Sequence, residues 1–514
     1  MKGGKENKSK NLSGLFFLFI LLAGLAVAVY WPVLNNTLIS DDHFYYYELR
    51  SLPVSELGSL FTLQSNFSVR PFTWLTYWIQ FRLFDFNPWP AHLINVFLHA
   101  GVASLMFWLL RMLGARGLTA TAAAVLFLVT PVAPEAATWL SGRHDLMALF
   151  FTLLTVGLYF FALKKKSWGY FGTAMAAAMA ALLSKEQAYM LVLMLPAMEL
   201  LYADRSSYAI DSRKANIAKM LINNSRAQFS DWKFLTRMFV FSVIVFASVV
   251  LHYAILGRMG GYGDLPLLAL PGANALSTLK TTLSPLNSAE VSWGLIRYLG
   301  FYSATLFLIG GSLVILRWRR AAADSKKMLV FMIIFLIGSL LPGYAVLSQT
   351  GVSNNLRESR LLYSPTLAVL ALLAISMLEF GWHKRSWRIF AILALSVLLP
   401  VYIAGLHANN RPWQRAAAMN YSIPKQTVEL IPDPPQNARM TFIHVPAWKD
   451  SYVFVIGFRQ ALYSAYGRDD IIVTRVRRLA SGDYFDEPLP ESDTDGYLID
   501  YDQEQGLLRL VKDN

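Results

Sequence analysis

Hydrophobic and polar positions along this chain alternate on the scale of whole segments. Apolar runs of about 20 residues, each long enough to cross a hydrocarbon layer of roughly 30 Å, are separated by polar stretches that hold nearly all of the charge. The runs at 13–33, 91–113, 117–131, 146–163, 168–183, 188–203, 238–256, 294–316, 328–348, 361–379 and 389–406 predict about eleven transmembrane helices. Those at 117–131 and 168–183 are short for a bilayer, which predicts tilted partners or a broken pair. The first run, "LSGLFFLFILLAGLAVAVYWPV", exceeds a signal-peptide core and lacks a small-residue cleavage site, so it reads as a retained span. From residue 407 the pattern changes. "MTFIHV", "YVFVIGF" and "DIIVTRV" read as short strands, and "GYLIDYD" with "GLLRLV" as a closing hairpin. The expected fold is an all-α polytopic membrane domain over 13–406, after a short segment 1–12, followed by a small α/β or mostly β soluble domain over 407–514.

Composition agrees with this class: 55% of the 514 residues are hydrophobic and 15% charged, and the mean hydropathy is +0.40. There are no cysteines, which excludes disulfides, thiolate metal sites and a cysteine nucleophile. Charge fixes an expected orientation. With the N-terminus in the cytoplasm, "KGGKENKSK", "KKK", the 203–237 loop, "RWRRAAADSKK" and "HKRSWR" all fall inside, as the preference of Lys and Arg for cytoplasmic loops requires. An odd number of spans then sends the soluble domain to the periplasmic or lumenal side. That domain has 12 Lys and Arg against 15 Asp and Glu, so the net +13 of the chain arises in the membrane part and does not point to nucleic acid.

The remaining charged residues collect where the outer loops meet the spans. Asp41, Asp42 and Arg70 lie in the first outer loop, 34–90; Glu135, Arg143 and Asp145 in "PEAATWLSGRHD"; Lys185 and Glu186 in "SKEQ"; Arg360 in "NNLRESRLLYSP". The span interiors are almost free of ionisable groups, whereas an ion-coupled transporter usually needs them near the midplane, so the distribution favours an enzyme at the outer interface. A polytopic transporter or flippase for a lipid-linked sugar is the alternative. Each group also has a plainer reading. Asp41 and Asp42 suit the start of a helix "HFYYYELRSL", where aspartate accepts from free amides. His92, Asn95 and His99 share one helix face at i, i+3, i+7, and a buried, hydrogen-bonded histidine is the common reason for such placement. Lys185 and Arg360 sit where basic side chains snorkel. The loop 257–293, rich in Gly, Pro and Ser, is a candidate lid or interfacial segment.

The order of the acidic pair after the first span, then "VRPFTWLTYW", "NPWPAHLINVFLHA", "TPVAPEAATWLSGRHDLMALFF", "LLSKEQ" and "ESRLLYSP", resembles the membrane part of TMTC-type protein O-mannosyltransferases and their bacterial relatives, within the GT-C glycosyltransferase superfamily. The resemblance runs over residues 13 to 380. It implies a GT-C fold and transfer of a sugar from a polyprenyl-phosphate carrier to a protein, lipid or glycan acceptor on the extracytoplasmic face, in a membrane that the reading favours as the bacterial inner membrane. It implies Asp41 as catalytic base with Asp42 in support. The chemistry then asks for cations at the departing phosphate, and Arg70, Arg143, Lys185 and Arg360 are the candidates. Glu135, Asp145 and Glu186, with His92, Asn95 and His99, are candidate supporting or substrate contacts. No cofactor is expected, and a divalent metal at "DDH" or "RHD" is possible but not favoured. Three features depart from the family: a small domain stands in place of tetratricopeptide repeats, Thr130 in place of a His before Pro131, and Ser359 where an acid is usual, with Glu358 one position away.

Overall fold

The computed structural model describes residues 3–62, 68–203, 224, 231–257, 273–349, 352, 356–382, 384–447, 451–476 and 496–512. All eleven apolar runs are helical. In chain order the helices are α1 (Gly3–Tyr30), α2 (Asp41–Arg50), α3 (Pro71–Phe84), α4 (Pro88–Met112), α5 (Gly117–Leu128), α6 (Pro134–Ala137), α7 (Arg143–Lys165), α8 (Trp168–Leu182) and α9 (Leu191–Tyr202). They continue with α10 (Trp232–Leu256), α11 (Ala273–Leu283), α12 (Trp293–Arg317), α13 (Ala323–Leu340), α14 (Tyr344–Gln349), α15 (Tyr363–Ala374), α16 (Arg385–Leu430) and α17 (Phe458–Tyr466). Among the described residues seven helical segments are long and apolar enough to cross a membrane. Of the other expected spans, α5, α8 and α9 are 12, 15 and 12 residues long. The helical form follows from the solvent, since hydrocarbon offers backbone groups no partner and a helix satisfies them within one segment.

The chain is an integral, multi-pass membrane protein, and its surface shows why. On α10 and α12, Phe239, Phe246, Tyr298, Phe301, Leu308 and Ile315 are 69 to 78% exposed. So large an apolar face is tolerable only against lipid. Inside the bundle, where lipid tails are as apolar as leucine, close packing replaces the hydrophobic drive. The crossing of α4 and α7 depends on two glycines. A Cβ on Gly101 would lie 2.8 Å from the Phe150 ring, and one on Gly157 would lie 2.0 Å from Trp108.

The C-terminal unit is α/β. Strands β1 (Arg439–Ile443), β2 (Ile472–Val476), β3 (Tyr497–Asp502) and β4 (Leu507–Lys512) form one sheet in the order β2-β1-β3-β4. β1 is parallel to β2 and β3, and β3–β4 is the antiparallel closing hairpin read from the sequence. "YVFVIGF" is not a strand. Tyr452, Val453 and Phe454 are buried, the amides of Val453 and Phe454 bond Ala447 O, and Gly457 turns the chain into α17 at φ 83°. The apolar run that suggested a strand is instead a loop wedged between two bodies. The expected boundary at 406/407 falls inside α16, a helix of 46 residues, hence about 69 Å long at 1.5 Å per residue. Its outer part serves the sheet: the Gln426 amide donates to Gly506 O and accepts from Leu508 N. Of the loop 257–293, residues 258–272 lie outside the described residues; the remainder forms α11 and a turn.

Gly157→Ala is expected to destabilise the detergent-solubilised protein by about 1 to 3 kcal/mol, because the rigid Trp108 ring must move. Gly172→Ala, where a Cβ meets nothing within 4 Å, should be neutral or slightly stabilising. Thermal unfolding of the two variants side by side checks the contrast.

Candidate functional site

Nine charged residues from six separate segments meet at one end of the bundle. α1 ends at Tyr30, and the chain returns through a turn whose last residue, Ser40, has φ 54° and ψ −115°. α2 then starts at Asp41, so the two acids occupy its first turn rather than the capping position, and Ser40 makes no side-chain cap bond. The positive end of the helix dipole lies beside them.

The two neighbours differ in their surroundings. Asp42 is buried, and its oxygens accept from Ile39 N at 3.0 Å, Ser141 N at 2.9 Å and the Ser141 hydroxyl. It ties the first loop to the segment 139–142. Burial pushes its pKa up to about 7, against those three donors, which hold it down. Asp41 is only partly buried and accepts from the Ser40 hydroxyl at 3.0 Å. Burial raises its carboxyl above the ordinary range, opposed by the Ser40 bond and by the charges of Arg360 and Arg70. A carboxylate of raised pKa facing two cations is suited to take a proton beside a bound anion.

The cations arrive paired. Arg360 Nη1 lies 2.9 Å from Glu135 and Nη2 lies 3.0 Å from Glu358, while its guanidinium stacks over Trp139 and Tyr452 at 5.3 and 5.4 Å. Lys185 Nζ meets Asp145 at 2.5 Å, both buried. Arg70 meets Glu186 at 3.1 Å, and Glu186 also faces His252 at 3.8 Å. Burial alone would raise Glu186 and Glu358 and lower Lys185; for the two glutamates the adjacent arginines outweigh burial and hold them low, whereas Lys185 stays below its ordinary value. Burial keeps Glu135 up at about 7 despite Arg360. Ser359, which stands where an acid is usual in the resembled family, donates to Glu135 at 3.0 Å, and Glu358 reaches Arg360 from a left-handed backbone at φ 69°.

The structure does not bring every expected residue to this cluster. Arg143 is turned away from it and fully buried. Its guanidinium donates to Asn95, Gln80, Thr76 and Ala91 O and stacks on Tyr77 at 4.6 Å, so its donors are spent on the protein. Asn95 in turn donates to the carbonyls of Trp139 and Leu140. His92 bonds Asn36 O, and His99 bonds both the Tyr363 hydroxyl and Leu128 O. The three do share one face of α4, where His92 and Asn95 brace the segments 31–40 and 139–142 and His99 braces the ends of α5 and α15. Among the described residues no three His, Asp or Glu are grouped so as to hold a metal ion.

Two participants escaped sequence reasoning. His144, between Arg143 and Asp145, is buried against Tyr45 and Tyr77 in the field of Arg70, Lys185 and Arg360, and its ring nitrogens make no hydrogen bond among the described residues. Its place in "RHD" was the available signal. Tyr452 donates to Glu358 at 2.8 Å and lies 3.3 Å from Arg360, yet comes from the soluble domain, where nothing in the sequence marked it.

Parts of the chain are similar to known proteins. No family model matches the chain. A protein O-mannosyl-transferase TMTC2 of Mus musculus is 33% identical over 137 residues, which is 25% of this chain and 16% of that protein. TMTC3 of Homo sapiens is 31% identical over 144 residues, or 26% and 16%. The chain thus matches about one sixth of the length of these relatives. Among solved structures, that of ArnT from Cupriavidus metallidurans in the apo state superimposes with a TM-score of 0.50 at 13% identity, covering 90% of this chain and 86% of that one. The resemblance to TMTC-type transferases and the GT-C fold read from the sequence are borne out.

Asp42→Asn is expected to cost about 1 to 3 kcal/mol of stability, since an amide cannot accept from all three donors and leaves a buried one unmet. Asp41→Asn should leave the fold near normal. Thermal denaturation of both variants in the same detergent tests the difference; equal stability would place Asp42 outside the scaffold.

Proposed function

We propose that this protein is a membrane glycosyltransferase that moves a sugar from a polyprenyl-phosphate carrier to an acceptor hydroxyl on the extracytoplasmic face. The observation that carries the reading is Asp41: a partly accessible carboxylate of raised pKa in the field of Arg70 and Arg360. The likeness to O-mannosyl-transferases over a quarter of the chain supports it.

In this reaction the acceptor oxygen attacks the anomeric carbon, the bond from that carbon to the phosphate oxygen breaks, and the electron pair leaves with the polyprenyl phosphate. The acceptor proton goes to Asp41, whose raised pKa makes it a stronger base than an ordinary aspartate. Arg70, Lys185 and Arg360 stabilise the charge that grows on the phosphate. Each already holds a carboxylate, and the donor phosphate competes with those acids for the same N–H groups. Glu135, Asp145, Glu186 and Glu358 keep the cations oriented while the site is empty, which limits the cost of holding several like charges together. Asp42 acts through the backbone, by fixing the turn from which Asp41 projects. No step in this scheme requires a metal or another cofactor. Orientation follows from the basic loops: α16 carries the soluble domain to the periplasmic or lumenal side, and residues 164–166 face the cytoplasm.

Asp41→Asn should lower sugar transfer by purified protein roughly 10²- to 10⁴-fold at saturating donor and acceptor. The wild-type rate should fall as pH drops through the folded pKa of Asp41, with the acid limb above that of an ordinary aspartate, because only the ionised carboxylate accepts a proton. Near-normal transfer by Asp41→Asn refutes the assignment. Arg360→Ala should weaken donor binding about 10- to 150-fold through loss of a charge-assisted contact; unchanged affinity returns Arg360 to a structural role. An alkaline phosphatase fusion after residue 430 should be active and one after residue 165 inactive, and the reverse pattern inverts the placement of the site.

A further inference from the structure

Ser40 is held by the far end of the chain. Its amide donates to Asn420 Oδ1 at 3.2 Å on α16, and Asn420 Nδ2 donates to Val453 O at 2.9 Å. Its hydroxyl accepts from the amides of Val455 at 3.1 Å and Ile456 at 3.3 Å, and donates to Asp41 Oδ1 at 3.0 Å. The next residue of that loop, Gly457, passes so close that a Cβ there would lie 2.3 Å from Ser40 O and 3.2 Å from His43 Cβ. His43 in turn stacks on Phe454 at 6.2 Å. The same loop sends Tyr452 to Glu358 and Arg360. One irregular segment therefore touches both the residue before the proposed base and the acid beside a proposed phosphate cation.

The backbone explains why such a support is needed. A serine at φ 54°, ψ −115° occupies a sparsely populated region that persists only when its surroundings over-determine it. The surroundings here are the two loop amides, Asn420 and the close-packed Gly457. Among the described residues seven non-glycine positions have positive φ, and three of them, Ser40, Leu356 and Glu358, lie in or beside this site. Conformational cost is concentrated where the soluble domain meets the bundle.

We propose that the loop 451–457 is a positioning element of the site, which holds Ser40 and through it sets the direction and hydrogen bonding of the Asp41 carboxylate. The soluble domain is thereby part of the machinery for transfer and not only a module appended to it. Val455 and Ile456 act through backbone amides, so their side-chain identity matters less than the path of the loop. Gly457 is fixed by both its φ of 83° and the approach to Ser40 O. This inference rests on Asp41 serving as the base.

The test uses the full chain in nanodiscs. Ser40→Ala removes the hydroxyl at almost no change in volume, and Gly457→Ala forces the loop away from Ser40. Both should lower kcat roughly 10- to 100-fold, as small misplacements of a reacting group do, while leaving the donor KM near normal. In Ser40→Ala the acid limb of the pH–rate profile should also move to higher pH, because the lost bond favoured the ionised carboxylate. Hydrogen exchange over residues 38–46 should rise in Gly457→Ala, and that signal does not depend on activity. Normal kcat with unchanged exchange overturns the proposal, and so does a loss of kcat that leaves the acid limb of Ser40→Ala in place. If Asp41→Asn keeps its full rate, the assignment of Asp41 as base fails instead, and the exchange measurement still decides whether the loop restrains the turn.

Discussion

Charge withdrawn from water must be matched, and that requirement organises this molecule more than any other. Moving an isolated ion into a low-dielectric interior costs several kcal/mol even after relaxation. At the Asp41 end of the bundle three cations and six carboxylates lie at or below the rim of the helices, and nearly every one is answered: Arg360 by Glu135 and Glu358, Lys185 by Asp145, Arg70 by Glu186, Asp42 by three neutral donors. The same rule holds elsewhere. Buried Glu199 takes bonds from Arg237 and Tyr159, and buried Glu379 takes them from Arg116 and Thr119. Helix ends are pinned where these pairs form, because all but the Arg360–Glu358 pair join different segments. Asp41 differs in degree: it is only partly buried and carries one short neutral bond together with long-range attraction.

Much of this was legible in the sequence. The helices announce themselves as apolar runs because hydrocarbon permits little else, and the charged residues between them were few enough that their convergence could be anticipated. Arg70, Lys185 and Arg360 lie together with Glu135, Asp145 and Glu186 in the structure, and the sequence had grouped them by shared side alone. Arg143 was not separable from them. A phosphate-binding arginine and one locked into a scaffold have the same sequence neighbourhood, and the difference lies in which way the first turn of α7 faces. Asn95 and Gln80, from two other helices, decide it. The irregular loop 451–457 misled for the opposite reason, because burial on two sides calls for the same short continuous apolar run as a buried strand. Ser40 and Asn420 carried no signal at all, since their partners are hundreds of positions away.

Helix α16 links the two bodies in a particular manner. A flexible connector would let the soluble domain sample many placements, whereas a continuous helix that leaves the bundle and becomes one layer of the α/β unit transmits position directly. Trp413 on this helix stacks on Trp139, Asn410 receives the Thr138 hydroxyl, and Asn409 donates to Pro131 O and Pro285 O. These contacts fix the helix against the segment that also carries Glu135 and Ser141. The long helix therefore acts as a common reference for Asp41, for the cations and for the loop that joins them.

The contact between Ser40 and Ile456 spans 416 positions of sequence, which bears on how the protein comes into being. Synthesis proceeds from the N-terminus, so Asp41 is in the membrane long before the residues that restrain it exist. The bundle can insert, its ion pairs can form and Asp42 can already tie the turn to Ser141, yet Ser40 itself has none of its partners on α16 and the loop 451–457 until those residues have been made and have docked. Nonlocal closure of this kind is slow and comes late in assembly. The arrangement makes completion of the site a late step, and a chain that ended at residue 406 would contain all eleven apolar runs yet leave Ser40 without its partners on α16 and the loop 451–457.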